Sequence, residues 1–180
     1  MLGILANLTF LDVLLNYVEG MHTATDTVSR LLPFATEASW ATGRWQTLEK
    51  YISLAPKESR EDFNISIGQA LLALQRDNID LFKSTVGSLR ERIACSLSAS
   101  TTASLGASHD TMLKLHVLTE LEMIAGTDTE VPVERASIIE SLNRRLEVIG
   151  AYLNDKQYLL GIRRAAMQLS RYVHKRIQDF

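Results

Sequence analysis

Apolar side chains recur along this chain at intervals of three and four, the spacing that gathers residues on one face of an α-helix. From Ile4 to Val18 the positions Ile4, Leu5, Leu8, Leu11, Leu14, Leu15 and Val18 form such a stripe, which Gly20 closes. A second segment, from about Thr25 to Leu32, runs into Pro33. Proline lacks an N–H and suits the first turn of a helix better than its middle, so a boundary is expected there, with a new helix from Pro33 to Thr42. Gly43 breaks the pattern, and Arg44-Trp45 restart it with Trp45, Leu48, Tyr51, Ile52 and Leu54 along one stripe. Pro56 and the charged run Lys57 to Asp62 read as a solvated loop.

Helical spacing resumes from Phe63 to Gln75, with Phe63, Ile67, Ala70, Leu71 and Leu74 on one side. Arg76-Asp77-Asn78 is a tight corner, and Ile79, Phe82, Val86, Leu89 and Ile93 mark the returning helix. The Ser-, Thr- and Ala-rich stretch Ser96 to Ser108 reads as mostly helical. Beyond it, Met112, Leu115, Leu118, Thr119, Leu121, Glu122 and Ala125 define a long helix that Gly126 stops, and Thr127 to Pro132 is a polar connection. Two helices follow: Ala136 to about Leu153, offering Ile138, Ile139, Leu142, Leu146 and Ile149 to a core, and Asp155 to Ile177, offering Leu159, Ile162, Ala166, Leu169 and Val173.

The stretches Glu37 to Trp45 and Gly68 to Asn78 share one plan: small residues on a first helix, a short turn, then a large apolar residue. Trp45 and Ile79, the restart points, lie 34 positions apart (79 − 45). That is the period of tetratricopeptide-type hairpins, in which small residues let paired helices approach closely. The pattern predicts an all-α fold of TPR-like antiparallel helical hairpins stacked as an α-α superhelix. It forms a single helical-repeat segment over residues 1–180, with the N-terminal hairpins at about 1–95 and the long helix and C-terminal helices at about 96–180.

Composition sharpens this picture. Three prolines and nine glycines in 180 residues are too few for an all-β chain of tight turns. Nineteen basic and 21 acidic residues leave a net charge of −2, with no global field to draw in nucleic acid or an anionic membrane. The N-terminal run superficially resembles a secretion signal. It lacks a basic leading region, however, and Asp12 and Asn16 interrupt it, so it reads as a buried helix, and no stretch is apolar enough to span a bilayer. Cys95 is the only cysteine and reads as a small core residue in a reducing compartment.

Catalytic chemistry finds no footing. The chain has no phosphate-binding G-x-x-x-x-G-K-[ST], no G-x-G-x-x-G, no G-x-S-x-G elbow, no H-E-x-x-H and none of the protein-kinase catalytic motifs. His22, His109, His116 and His174 are scattered, and His116 with Glu120 one turn on reads as a pair on a helix surface. Glu120 and Glu122 point to different helix faces, and Glu130 and Glu134 straddle Pro132 in a loop, so neither pair makes an acid-base couple. Arg144, Arg145, Arg163, Arg164, Arg171, Lys175 and Arg176 give the C-terminal third a basic bias, but Glu140, Glu147 and Asp155 lie among them, as on solvated helix faces. Trp40, Trp45 and Tyr51 read as hairpin core before they read as a recognition pocket. No cofactor or metal is expected.

The run Leu31 to Tyr51, with Glu37-Ala38-Ser39-Trp40-Ala41-Thr42-Gly43-Arg44-Trp45-Gln46-Thr47-Leu48 at its centre, resembles the FAT region of phosphatidylinositol-3-kinase-related protein kinases, where an E-A-[AS]-W-x-x-[GS]-x-W-x-x-[LV] hairpin recurs. Leu115 to Glu122, Leu142 to Glu147 and Leu160 to Ala166 resemble the ATR-type checkpoint kinases in particular. The resemblance implies a fragment of a helical solenoid that cradles the kinase domain of a large nuclear Ser/Thr kinase in DNA-damage signalling. That parent would use ATP and magnesium, phosphorylate Ser or Thr before Gln, and work with an ATRIP-like regulatory subunit. This chain would then be a non-catalytic scaffold whose partners are the kinase domain and the remaining solenoid, with no direct contact to nucleic acid or membrane. Trp40, Gly43, Trp45, Leu118, Arg163 and Arg164 are its structural or interaction candidates. The stretch Tyr172 to Phe180 has no capping residue and ends on an aromatic, as expected of a piece of something longer. The alternative is a free-standing TPR-like adaptor with a peptide in its groove. A small helical enzyme would need convergent titratable groups that the sequence does not supply.

Overall fold

The computed structural model describes residues 10–13, 15–17, 20, 25–56, 61–99, 105–126 and 131–178. Every regular element among them is helical: α1 (residues 10–13 and 15–17), α2 (Thr25–Thr42), α3 (Trp45–Leu54), α4 (Phe63–Gln75), α5 (Ile79–Ala99), α6 (Leu105–Ala125), α7 (Pro132–Val148) and α8 (Leu153–Gln178). The fold is all-α, as the spacing of apolar residues predicts. The chain forms two compact units, Met1–Ala73 and Leu74–Phe180.

In the first unit Leu15, Leu32, Ala35, Ala38, Tyr51, Ala55 and Ile65 form one buried cluster, with Leu11 and Leu31 packed against it. The same helical turns of α1 expose Phe10, Val13 and Tyr17. Ile4, Leu5, Leu8, Leu14 and Val18, expected on the same stripe, lie outside the described residues. The boundary expected at Pro33 is absent: α2 runs unbroken from Thr25 to Thr42 with Pro33 inside it. An internal proline costs a helix about 3 kcal/mol. Leu32, Ala35, Thr36, Ala38, Ser39 and Trp40 are all buried along this helix, and that burial outweighs the local preference.

Gly43 ends α2 in the left-handed region (φ 75°). Its N–H donates to the Trp40 carbonyl (3.2 Å), and the Arg44 N–H donates to that of Ser39 (2.8 Å). This is a Schellman closure, which satisfies two terminal carbonyls and needs a residue without a Cβ. It reverses the chain so that α3 packs back on α2. Leu48, Tyr51 and Ala55 are buried from this segment, whereas Leu54 is 57% exposed and leaves the expected stripe. At 100° per residue it stands about 240° around the helix from Leu48.

Asp62 starts α4 by accepting the Asn64 N–H (2.8 Å) and the Ile65 N–H (3.3 Å) on Oδ1. From Ile65 to Leu74 every residue except Gln69 is buried, so the expected one-sided stripe is replaced by a helix buried nearly all round, and Phe63 is only half-buried. Gly68 permits this closeness within the first unit. A Cβ there would lie 2.7 Å from Thr36 Cγ2, 3.1 Å from Leu48 Cδ1 and 3.2 Å from Ile52 Cδ1.

In the second unit α6 packs against α5, α7 and α8. Asp77 turns the α4–α5 corner with φ 56°, and Asn78 Oδ1 accepts the Leu81 N–H (3.0 Å) to cap α5. Phe82, Val86, Leu89 and Ile93 are buried as expected, but Cys95 is exposed and not a core residue, being two positions off that stripe. The Ser/Thr-rich stretch is helical at both ends, through Ala99 and from Leu105, while 100–104 lie outside the described residues. Helix α7 begins at Pro132, before the expected Ala136, because proline at its first position is already set for helical φ. It ends at Val148, with Gly150 at φ 71° just beyond. Ile138, Leu142 and Ile149 are buried there, Leu146 is half-buried, and Ile139 is 45% exposed. Leu159, Ile162, Ala166 and Leu169 are buried on α8, and the Val173 side chain lies outside the described residues.

Two glycine substitutions separate close packing from helix propensity. Gly87, inside α5, has nothing within 4 Å of an added Cβ. Gly87→Ala is therefore expected to stabilise by up to about 1 kcal/mol. Overpacking costs about 1–3 kcal/mol, so Gly68→Ala is expected to lose up to about 2 kcal/mol after the same propensity gain. Urea unfolding midpoints of the two single variants check the opposite signs.

Candidate functional site

Of the residues singled out from sequence, Trp40, Gly43 and Trp45 belong to the first unit and Leu118, Arg163 and Arg164 to the second. Trp40 and Tyr51 are 2% and 3% exposed and serve as hairpin core, with Trp45 half-buried at the start of α3. The turn between the tryptophans is fixed by Gly43 and tied to α1, since Arg44 Nη2 donates to Asp12 Oδ1 at 2.9 Å. In the second unit Leu118 is fully buried on α6, Arg164 is exposed, and Arg163 is 5% exposed on α8.

Arg163 leads to the most constrained polar arrangement among the described residues. Its Nε donates to Glu120 Oε2 (2.6 Å) and its Nη2 to Glu120 Oε1 (2.7 Å), a two-pronged pair in which the carboxylate is wholly buried. The same Nη2 donates to the Leu142 carbonyl at 2.6 Å. One guanidinium on α8 thus fastens a carboxylate on α6 and a backbone oxygen on α7. Arginine suits this task because its planar fork matches a carboxylate and remains charged when buried. The surface pairing expected between His116 and Glu120 is corrected: Glu120 is core, and its partner is Arg163. The reading of the C-terminal arginines as solvated also fails for Arg163, whereas Arg144 is exposed and paired with Glu140 on its own helix.

Arg145 stands second in line. Its Nε lies 3.6 Å from Glu120 Oε1, within range of ion attraction but too far for a hydrogen bond. Its Nη2 donates to His116 Nδ1 at 2.9 Å. Arginine has no acceptor, so the imidazole accepts at Nδ1 and carries its proton on Nε2. His116 is accordingly held below its ordinary value of 6.5, first by burial and then by the Arg145 charge, with Glu120 opposing in part.

Other polar contacts of the second unit are peripheral. Arg90 on α5 donates to Glu122 on α6 (2.6 Å), confirming that Glu120 and Glu122 face different ways. His109 Nε2 lies 2.6 Å from Asp155 Oδ2, with the Tyr152 ring 4.5 Å from the imidazole, joining α6 to the start of α8. Glu122, Met123, Gly126, Val133, Glu134, Ser137, Ile138 and Ser141 line an open groove between α6 and α7. Glu134 is helical and not in a loop, and Glu130 lies outside the described residues. In the first unit Glu37 accepts from Asn64 Nδ2 (3.2 Å), and burial, with the Asp62 charge adding to it, raises its pKa. Among the described residues no three His, Cys, Asp or Glu side chains gather as a metal site requires, and no helix is long and apolar enough to cross a membrane. Side chains of Arg171, His174, Lys175 and Arg176 lie outside the described residues, as does His22.

The sequence reading puts Glu120 in a surface pair and Arg145 on a solvated face, although for Glu120 the signal of burial is present. Val117, Glu120, Leu121 and Ile124 follow the i, i+3, i+4, i+7 rule, which places the carboxylate on the core face of α6. Leu159, Ile162, Arg163 and Ala166 do the same for the guanidinium on α8.

Two outcomes follow for stability. Arg163→Met takes both of its hydrogen bonds from a buried carboxylate and is expected to cost about 3–5 kcal/mol, whereas Glu120→Met with Arg163→Met costs clearly less, because the charge then left at the junction, that of Arg145, is partly exposed. Denaturant unfolding of the single and double variants measures the difference. For His116 the folded pKa lies below the unfolded value of 6.5, so the unfolded chain binds more protons between the two. The stability this neutral ring supplies is complete above that unfolded value and declines as pH falls below it. Unfolding midpoints taken on either side of it should fall with acid in the native chain, and by less in His116→Gln.

A single helical hairpin closed by Gly43 and a three-helix block fastened through Arg163 are structural devices that hold helices in register. The FAT domain family model matches residues 32–178, more than half of the chain and inclusive of both devices. The chain belongs to the FAT domain family, the non-catalytic helical region of phosphatidylinositol-3-kinase-related protein kinases.

Proposed function

We propose that this chain is part of the FAT scaffold of an ATR-like Ser/Thr protein kinase and acts in DNA-damage checkpoint signalling in the nucleus. The single observation that carries the reading is the FAT match over residues 32–178. The ATR-like assignment is supported by Leu115 to Glu122, Leu142 to Glu147 and Leu160 to Ala166. The last two hold Arg145 and Arg163, and the first holds Glu120. In this reading the chain supplies posture. Helices held by buried contacts form a stiff support beside the kinase domain, so a movement of the support changes access to the active site. An ATRIP-like subunit and the rest of the solenoid are the proposed partners, and ATP and magnesium belong to the kinase domain of the parent.

Leu118→Ala tests this in the full-length parent. Emptying a fully buried leucine site costs about 2–5 kcal/mol locally and touches no catalytic group. The expected outcome is altered basal or stimulated phosphorylation of a Ser-Gln peptide by a kinase that is still stably expressed. Unchanged activity in both states would remove the reading.

A further inference from the structure

Helix α7 is lightly anchored. It packs on α6 less extensively than α5 and α8 do, and Gly150, in the left-handed turn just beyond it, has nothing within 4 Å of an added Cβ. Two arginine contacts tie it down. Arg163 reaches from α8 to the Leu142 carbonyl (2.6 Å), and Arg145 reaches from α7 to His116 Nδ1 on α6 (2.9 Å). The second tie lies in the seam between helices, because Leu142, Arg145, Leu146 and Ile149 follow the i, i+3, i+4, i+7 rule that gathers them on one face of α7. Leu142 and Ile149 are buried there, Leu146 is half-buried, and the Arg145 side chain is 27% exposed. This tie, unlike the first, depends on a proton. A neutral imidazole accepts the guanidinium N–H, whereas a protonated one carries donors on both nitrogens and a charge of the same sign as Arg145. Glu120, one turn along α6, attracts a protonated ring, but Arg163 from α8 engages both of its oxygens. From α5, Arg90 is turned to Glu122 instead.

We propose that the contact between His116 and Arg145 is an acid-released latch: a proton on the ring frees the C-terminal end of α7 from α6, while Arg163 keeps the middle of α7 fastened at Leu142. The neutral ring closes the latch. In acid, imidazolium and guanidinium repel one another, Arg145 turns out to solvent, and the segment from Leu146 to Gly150 opens and uncovers Leu146 and Ile149. The pair of Glu120 with Arg163 takes no part in this step and holds α6 to α8 whether the latch is closed or open.

Amide hydrogen exchange of the whole chain, with each rate divided by its intrinsic rate at the same pH, tests this residue by residue. The His116 ring resonances, followed by NMR, mark where the ring takes up its proton. As pH falls through that point, protection of the amides from Leu146 to Gly150 is expected to fall about two- to tenfold, the worth of one hydrogen bond. Amides of α8 from Leu159 to Leu169 keep theirs. His116→Gln, whose side-chain oxygen accepts from Arg145 and binds no proton, abolishes the step and retains the protection that the native chain shows at higher pH. Arg145→Gln, which leaves no cation to repel, abolishes the step and has lower protection throughout. His109, paired with Asp155 (2.6 Å), is the other described histidine of this unit, and His109→Gln keeps the step. Unchanged protection from Leu146 to Gly150 through the titration overturns the proposal. So does a step that survives in His116→Gln, that vanishes in His109→Gln, or that appears equally in α6, α7 and α8.

Discussion

The arrangement of the second unit hangs on one carboxylate that cannot reach water. Removing an ion from solvent costs several kcal/mol even after the protein relaxes, and only close, multiple hydrogen bonds from an opposite charge offset it. Glu120 meets that condition through both prongs of Arg163, and the spare bond of Arg163 to the Leu142 carbonyl brings in α7. Hydrophobic contacts alone tolerate sliding, because apolar surfaces are attracted in many registers. A buried ion pair does not, since a shift of one turn would leave both charges unmatched. The pair therefore adds little net stability while it selects one register for α6, α7 and α8.

The first unit reaches definition by shape instead. Gly43 accepts a left-handed turn that closes α2, and Gly68 lets α4 come close enough that a single added carbon would collide with Thr36. Buried helices packed this tightly respond as a body, which is the property a scaffold needs if it is to pass movement on. Membership of the FAT family gives that property a setting in a kinase-associated support.

Much of this was legible in the order of residues. Helical spacing located the helices, the tryptophan hairpin and the Arg76-Asp77-Asn78 corner, because those depend on neighbours in sequence. Pro33 misled, since the local preference of proline was overridden by a buried face extending on both sides of it. Cys95 is of a type common in cores, but its position falls off the stripe of Phe82, Val86, Leu89 and Ile93, and that phase along α5 exposes it. Glu120 and Arg163 sat on core stripes of their own helices, so their burial could be read; that they face one another, and that Arg145 reaches His116, depends on how separate helices align. No single helix carries that information.

The central claim is that one ion pair makes α6, α7 and α8 a single cooperative block. Native-state hydrogen exchange on Arg163→Met measures it most directly, because exchange reports opening helix by helix. The account predicts that the buried amides of all three helices lose protection together and by similar amounts. Loss confined to α8, with α6 and α7 as protected as in the native chain, would contradict it.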